Sequence, residues 1–149
     1  SGNKMETGIK LGAMPVSNPD YYENSEEYMA RHCVDAGVRT VFECAGADVT
    51  ASLAIKIAPR GTEVMLLGLS EKPASFIPMD LLKRGIQINT SLIYDHPYDY
   101  LRTIALVESG VIKPGFIVSR YFPFTEVQQA LETASAGNES KVVVKIQSV

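Results

Sequence analysis

Four side chains of a metal-binding type occur in the chain, and their spacing does not suit a metal centre. They are His32, Cys33, Cys44 and His96. Protein zinc sites use ligand pairs at short regular spacings, and none of those spacings occurs here. His32 and Cys33 are adjacent on a predicted helix, so their side chains point in different directions. The sequence therefore predicts no metal site among these residues, and two free thiols rather than a disulfide.

Acid–base and nucleophilic catalysis are not indicated either. Asp80, Asp95 and Asp99 lie near predicted helix starts, where a carboxylate is favoured by the helix dipole and needs no catalytic role. No tyrosine is followed by a lysine four positions later, and no G-x-S-x-G nucleophile turn is present. We therefore predict no catalytic residue in this chain.

Small residues at the ends of apolar runs are the remaining chemical signal. The run "VFECAG" at 41–46 ends in Cys44, Ala45 and Gly46, and "VMLLGL" at 64–69 contains Gly68 near its end. A third run, "INTSLIY" at 88–94, follows the same pattern. Small residues at a strand end let a flat ligand lie against the backbone. These positions are therefore candidates for ligand binding.

The elements that must position these residues alternate along the chain. The three runs are apolar enough for parallel strands, and between them we predict helices at about 51–58, capped by Asp48 or Thr50, and about 79–84. A longer helix is predicted at about 97–109. This alternation predicts an α/β fold with a doubly wound parallel sheet.

The last quarter of the chain, residues 111–149, predicts a separate strand–helix–strand tail. The stretch "FIVSRYFPF" reads as extended, and a helix follows in which Thr125 and Gln128 have the spacing of a capping box. The closing "KVVVKIQ" is rich in β-branched residues and predicts a strand.

Length and composition limit the class of protein. The chain has 149 residues, 46% of them hydrophobic and 21% charged, which suits a globular domain. A net charge of −3 and the lack of a basic stripe argue against nucleic-acid binding. The apolar runs are too short for a bilayer span and no signal-like start is present, so we expect a soluble, cytoplasmic protein. The opening "SGNK" lacks an initiator Met and suggests a cut end or a tag remnant.

Taken in order, several motifs carry a family resemblance. They are "VFECAGA", "EVMLLGL", the run ending "SLIY", "SGVIKPGFIVSRYFPFTEVQQALE" and "KVVVKI". This ordered set resembles the carboxyl-terminal part of zinc-dependent medium-chain alcohol dehydrogenases, in particular the polyol and threonine dehydrogenase branch. The resemblance implies that residues 1–110 form the second half of an NAD(P)-binding Rossmann domain and that residues 111–149 end the catalytic domain. The fold expected is thus a partial Rossmann-type sheet with the tail described above.

The resemblance also implies a set of cofactor-binding positions: Cys44, Ala45, Gly46, Leu67, Gly68, Leu69, Leu92, Ile93, Tyr94 and Lys141. In the family, the first three line the adenosine-side ribose and the next three meet the nicotinamide carboxamide. The following three lie near the nicotinamide ring and a subunit contact, and the lysine meets the pyrophosphate. Each position also has an ordinary structural explanation, such as a tight turn at a strand end or an exposed lysine before an edge strand.

The resemblance implies a cofactor and a substrate class, and one motif of the family is missing from this chain. The cofactor would be NAD or NADP and the substrate a small alcohol or polyol, with zinc held by residues outside this chain. The G-x-G-x-x-G phosphate turn, which the family has, does not occur. We therefore expect a fragment that is inactive in isolation, whose parent transfers a hydride, and a homo-oligomer formed through sheet edges. The alternative is a non-catalytic oligomerisation module with a Rossmann-like remnant.

Overall fold

The computed structural model of the protein describes residues 2–14 and 25–146. Two compact units are present, one comprising Ser17–Ile93 and the other Ser1–Val16 with Tyr94–Val149. The first is called the sheet unit below and the second the tail unit. These limits differ from the family domains expected at 1–110 and 111–149, and that division stays a prediction.

The sheet unit alternates strands with helices in the predicted order: α2 (Ser25–Asp35), β1 (Thr40–Glu43), α3 (Asp48–Ile57), β2 (Glu63–Leu66), α4 (Pro78–Arg84) and β3 (Gln87–Thr90). The three strands are parallel and lie in the order β1-β2-β3. Parallel neighbours joined through helices are the arrangement predicted from the alternating runs. The predicted α/β fold with a parallel sheet is confirmed.

The core of the sheet unit lies between one face of the sheet and the helices. Val64, in the central strand, is fully buried and packs with Ala54, Ile55 and Ala58. Val41, Ile88 and other partly buried aliphatic side chains surround this cluster. The opposite face carries Phe42, which is 62% exposed. Helices α3 and α4 therefore hold the strands from one side and leave the strand ends accessible.

An arginine joins the two crossover helices of the sheet unit. The Arg84 guanidinium, at the end of α4, donates hydrogen bonds to the carbonyls of Ile55, Lys56 and Ala58 at 3.1, 3.1 and 2.8 Å. These carbonyls lie in the last turn of α3, where helical partners run out and a cation is favoured. The contact fixes the spacing between α3 and α4.

The tail unit contains α1 (Gly2–Lys10), α5 (Tyr98–Glu108), β4 (Arg120–Pro123), α6 (Val127–Ser135) and β5 (Val142–Lys145). β4 and β5 form a parallel pair. Among the described residues of this unit, Phe122 of β4 and Ala130 of α6 are buried. The predicted strand–helix–strand tail is therefore present. No helix in the described part of either unit is long and apolar enough to cross a bilayer.

Several local predictions were wrong, each for a physical reason. The cap of α3 is Ala47, and Thr50 acts from inside the first turn by accepting from the Ala47 amide at 3.3 Å. The capping box expected at Thr125 and Gln128 does not form, because a 3-10 turn, Phe124–Glu126, precedes α6. A second 3-10 turn, Pro114–Ile117, takes up the first two residues of the stretch expected to be extended, and the strand itself begins at Arg120.

The third predicted strand is also shorter than expected. β3 ends at Thr90, so Leu92, Ile93 and Tyr94 lie beyond the strand rather than at its end. Only residues 87–90 pair with β2, whose own last residue is Leu66.

Candidate functional site

The candidate site lies where the three parallel strands end. Glu43, Leu66 and Thr90 are register partners across the sheet, so the strands finish at the same level. The segments that follow, 44–46, 67–69 and 91–93, therefore lie along one edge. In open parallel sheets, ligands bind outside the carboxyl ends of the strands. The sequence-predicted positions of the sheet unit all lie on this edge.

Two of these segments are in direct backbone contact. Gly46 has φ +69, and a Cβ placed on it would lie 2.6 Å from the Leu69 carbonyl oxygen. A Cβ on Gly68 would lie 2.1 Å from the Gly46 nitrogen. Both distances are below any real contact, so both positions require glycine. The requirement arises from packing within the chain itself, and the prediction that these glycines also make room for a dinucleotide remains a prediction.

A buried carboxylate, missed by the sequence analysis, holds this contact together. Glu43 is only 5% exposed. Its Oε1 accepts hydrogen bonds from the Ala45 amide at 2.8 Å, the Gly46 amide at 3.0 Å and the Thr50 hydroxyl at 2.7 Å. The Thr50 hydrogen bond, followed by the amides of Gly46, Ala45 and Gly68, lowers the pKa of Glu43, and burial opposes the shift without cancelling it. Glu43 is therefore held as a carboxylate.

The main chain of Glu43 completes the junction. Its carbonyl accepts hydrogen bonds from the Leu67 amide at 2.8 Å and the Gly68 amide at 2.9 Å. One residue thus joins the turn after β1, the first turn of α3 and the turn after β2. The sequence feature that could have identified Glu43 is an acidic residue inside an apolar run, directly before small residues. A charge in a buried strand needs several donors, which such a turn supplies.

Exposed aliphatic side chains surround this junction. Leu67, Leu69, Leu92 and Ile93 are exposed at 41, 78, 75 and 73%. Cys44 and Ala45 are exposed beside them. Apolar side chains grouped at the surface often mark a binding surface, and these can pack against a flat ring.

Tyr94 and Lys141, the other two predicted positions, belong to the tail unit. The Tyr94 ring contacts the edge of the Tyr100 ring, with 5.6 Å between centroids. The Lys141 side chain is exposed, and its carbonyl accepts from the Ser119 amide at 2.9 Å. Cofactor binding by Tyr94 and Lys141 stays a prediction.

The metal-capable side chains do not form a cluster. Within residues 2–14 and 25–146, no group of three or more His, Cys, Asp or Glu could hold a metal ion. His32 stacks on Tyr28, and burial raises the pKa of the Cys33 thiol. Cys33 and Cys44 are both free thiols, as predicted.

The fold and the position of these turns define an α/β protein whose three parallel strands end level at one edge of the sheet. The chain belongs to the zinc-binding dehydrogenase family, whose model matches residues 1–109. The predicted resemblance to zinc-type dehydrogenases is therefore confirmed.

Curated relatives include polyol enzymes. A D-xylulose reductase from Morganella morganii is 36% identical over 103 residues, which are 66% of this chain and 29% of the relative. An L-arabinitol 4-dehydrogenase from Hypocrea jecorina is 29% identical over 107 residues, which are 72% of this chain and 28% of the relative. The chain thus spans less than a third of the length of either relative.

Solved structures share the fold over nearly the whole chain. A short chain alcohol dehydrogenase from E. coli CFT073, complexed with the cofactor NADH, has a TM-score of 0.76 and 18% sequence identity. The match covers 98% of this chain and 42% of that one. At this identity the likeness concerns the fold alone.

Proposed function

We propose that this chain is part of an NAD(P)-dependent, zinc-type alcohol or polyol dehydrogenase and supplies one wall of its dinucleotide crevice. The observation that carries this proposal is the edge at which β1, β2 and β3 end level with one another, with exposed aliphatic side chains beside two glycine turns. Family membership and the NADH-bound structural neighbour support the choice of a dinucleotide as ligand.

Each segment of the edge would contact a different part of the dinucleotide. Cys44, Ala45 and Gly46 would line the adenosine-side ribose, where larger side chains would collide with it. Segment 67–69 would meet the nicotinamide, with Leu67 and Leu69 packing on the ring. The Leu67 and Gly68 amides already bond to Glu43, so the carboxamide would pair with other main-chain groups of this segment. Leu92 and Ile93 would exclude water from the ring.

Two further cofactor positions, Tyr94 and Lys141, belong to the tail unit, and their roles are proposed separately. Lys141 would place its ammonium near the pyrophosphate, where a cation offsets two phosphate charges. Tyr94 would lie near the nicotinamide ring and a subunit contact. We retain the division into a cofactor part, 1–110, and a catalytic-domain part, 111–149, as a proposal.

The cofactor and the metal would supply the chemistry. Bound NAD or NADP would take up or donate the hydride. The described residues contain no cluster suited to zinc, so we assign no step through zinc to this chain. The names of the relatives, a xylulose reductase and an arabinitol dehydrogenase, favour a small polyol or its ketone as substrate. We further propose a cytoplasmic protein.

Titration calorimetry tests this proposal. NAD and NADP are titrated separately into this chain and into the product of the complete reading frame that contains it. We expect binding by the complete product and none detectable by the isolated chain, since no G-x-G-x-x-G turn is available for the phosphates. If the complete product binds neither cofactor, the proposal is wrong. If the isolated chain binds with micromolar affinity, the expectation of an incomplete crevice is wrong.

A second candidate is an oligomerisation module without chemistry. In the described part of the sheet, β1 is an edge strand and its Phe42 is 62% exposed. Unpaired apolar edges pair readily with another chain. This candidate predicts a dimer or larger assembly, formed through β1 or through the opposite edge strand β3. Sedimentation velocity tests it, and a strictly monomeric profile would exclude it.

A further inference from the structure

Glu43 joins the turn after β1 to the turn after β2, and we call this set of contacts the Glu43 junction. It suggests a role for a residue that does not itself contact the ligand. Its carboxylate binds the turn after β1, and its carbonyl binds the turn after β2. Both turns belong to the proposed crevice. We propose that Glu43 is a positioning residue for dinucleotide binding, which holds the 44–46 and 67–69 turns at the one separation that the cofactor fits. This inference rests on the proposed function above.

The chemistry of the junction favours a carboxylate over other side chains. Oε1 accepts from two amides and a hydroxyl, and an anion makes such hydrogen bonds roughly twice as strong as a neutral acceptor does. The turn also leads into the amino terminus of α3, where the helix dipole favours negative charge. A neutral side chain of the same size would lose both contributions.

The same contacts decide which part of a dinucleotide the turn can accept. Amides at a helix start commonly bind phosphate. Here the Ala45 and Gly46 amides are occupied by the chain's own carboxylate, so they are not available to a phosphate. The turn therefore offers a dinucleotide a packing surface rather than an anion site, which suits a ribose or a ring and not the pyrophosphate.

The junction leaves little room for displacement. The Gly46 and Gly68 backbones are in contact, and the exposed side chain of Leu69 is on the segment that Gly46 packs against. Loss of the carboxylate would release the 44–46 turn while the strands stay paired. The expected effect is therefore weaker cofactor binding in a protein that remains folded.

The test uses NADH fluorescence titration of the complete reading-frame product with matched variants. Glu43→Gln is expected to raise the dissociation constant of NADH by about 10- to 100-fold, a loss of the size seen when a residue that orients the binding groups is replaced. Glu43→Asp keeps the charge and should recover part of the affinity. Arg84→Met is the control, because it removes hydrogen bonds from the far end of α3 and should leave the dissociation constant unchanged.

Hydrogen exchange of the same variants identifies the cause. Glu43→Gln should speed exchange of the Ala45 and Gly46 amides, which bond to the side chain, and leave the central strand β2 protected. Wild-type affinity in Glu43→Gln, or an equal loss in Arg84→Met, would overturn the inference and leave the proposed function standing. If the wild-type product binds no NADH, the proposed function fails, and the inference with it. Should Glu43→Gln fail to fold, Thr50→Val, which removes one donor to the carboxylate, is titrated in its place with the same expected direction.

Discussion

A Cβ atom on Gly68 would lie 2.1 Å from the Gly46 nitrogen and 2.6 Å from a carboxylate oxygen of Glu43. Gly46 and Gly68, separated in the sequence by α3 and β2, bring the ends of β1 and β2 into backbone contact. The contact explains why two neighbouring apolar strands both finish in small residues, and the following consequences can be measured.

Gly68→Ala should be strongly destabilising. The added methyl would overlap backbone atoms of Gly46, which cannot move away as a flexible side chain could. We expect the free energy of unfolding to fall by about 3 kcal/mol, which urea denaturation would measure. Gly115→Ala is the control, since a Cβ there meets nothing within 4 Å. Equal stability of the two variants would show that the glycine contact is not tight.

The Glu43 carboxylate should make stability depend on pH in acid. Its pKa is lowered in the folded protein, first by the Thr50 hydrogen bond and then by the main-chain amides, so the folded state favours the ionised form. The stabilisation is complete above the unfolded pKa of about 4.3 and is lost as the pH falls through the lower folded pKa. The stability difference between wild type and Glu43→Gln should therefore shrink in this range. A difference independent of pH would contradict this assignment.

Thr50→Val should destabilise the same junction. It keeps the shape of the side chain and removes the hydroxyl that lies 2.7 Å from Glu43 Oε1. We expect a loss of about 1 to 2 kcal/mol in the free energy of unfolding, because a buried charge loses a donor. Thr50→Ser retains the hydroxyl and should lose less. If Thr50→Val loses no stability, or less than Thr50→Ser, the hydroxyl does not stabilise the junction.

Arg84→Met should loosen the packing of α3 on α4. The substitution removes three hydrogen bonds to carbonyls at the end of α3 and keeps most of the aliphatic stem. A loss of about 2 kcal/mol is expected on thermal or urea unfolding. Lys83→Met, at the exposed neighbouring position, removes the same charge without those contacts and should have little effect. A comparable loss in Lys83→Met would point to net charge instead.

The fold could be predicted from the sequence where local signals agreed. Glycines at 37, 85 and 110 follow helices and have positive φ, so the helix ends were predictable. Helix starts were less predictable: α3 begins after Ala47 without a side-chain cap, and the Glu43 carboxylate bonds to the amides of the turn before it. These residues are close in sequence, but the hydrogen bonds form only where the chain leaves the strand in this turn. Glu43 was therefore missed, although the small residues it holds were identified.

Hydrogen exchange of the complete reading-frame product, with and without saturating NADH, tests the central claim most directly. We expect added protection in the peptides that cover 44–46, 67–69 and 91–93, with little change in the helices α3 and α4. If NADH binds and these peptides exchange as before, the strand-end edge is not the dinucleotide crevice.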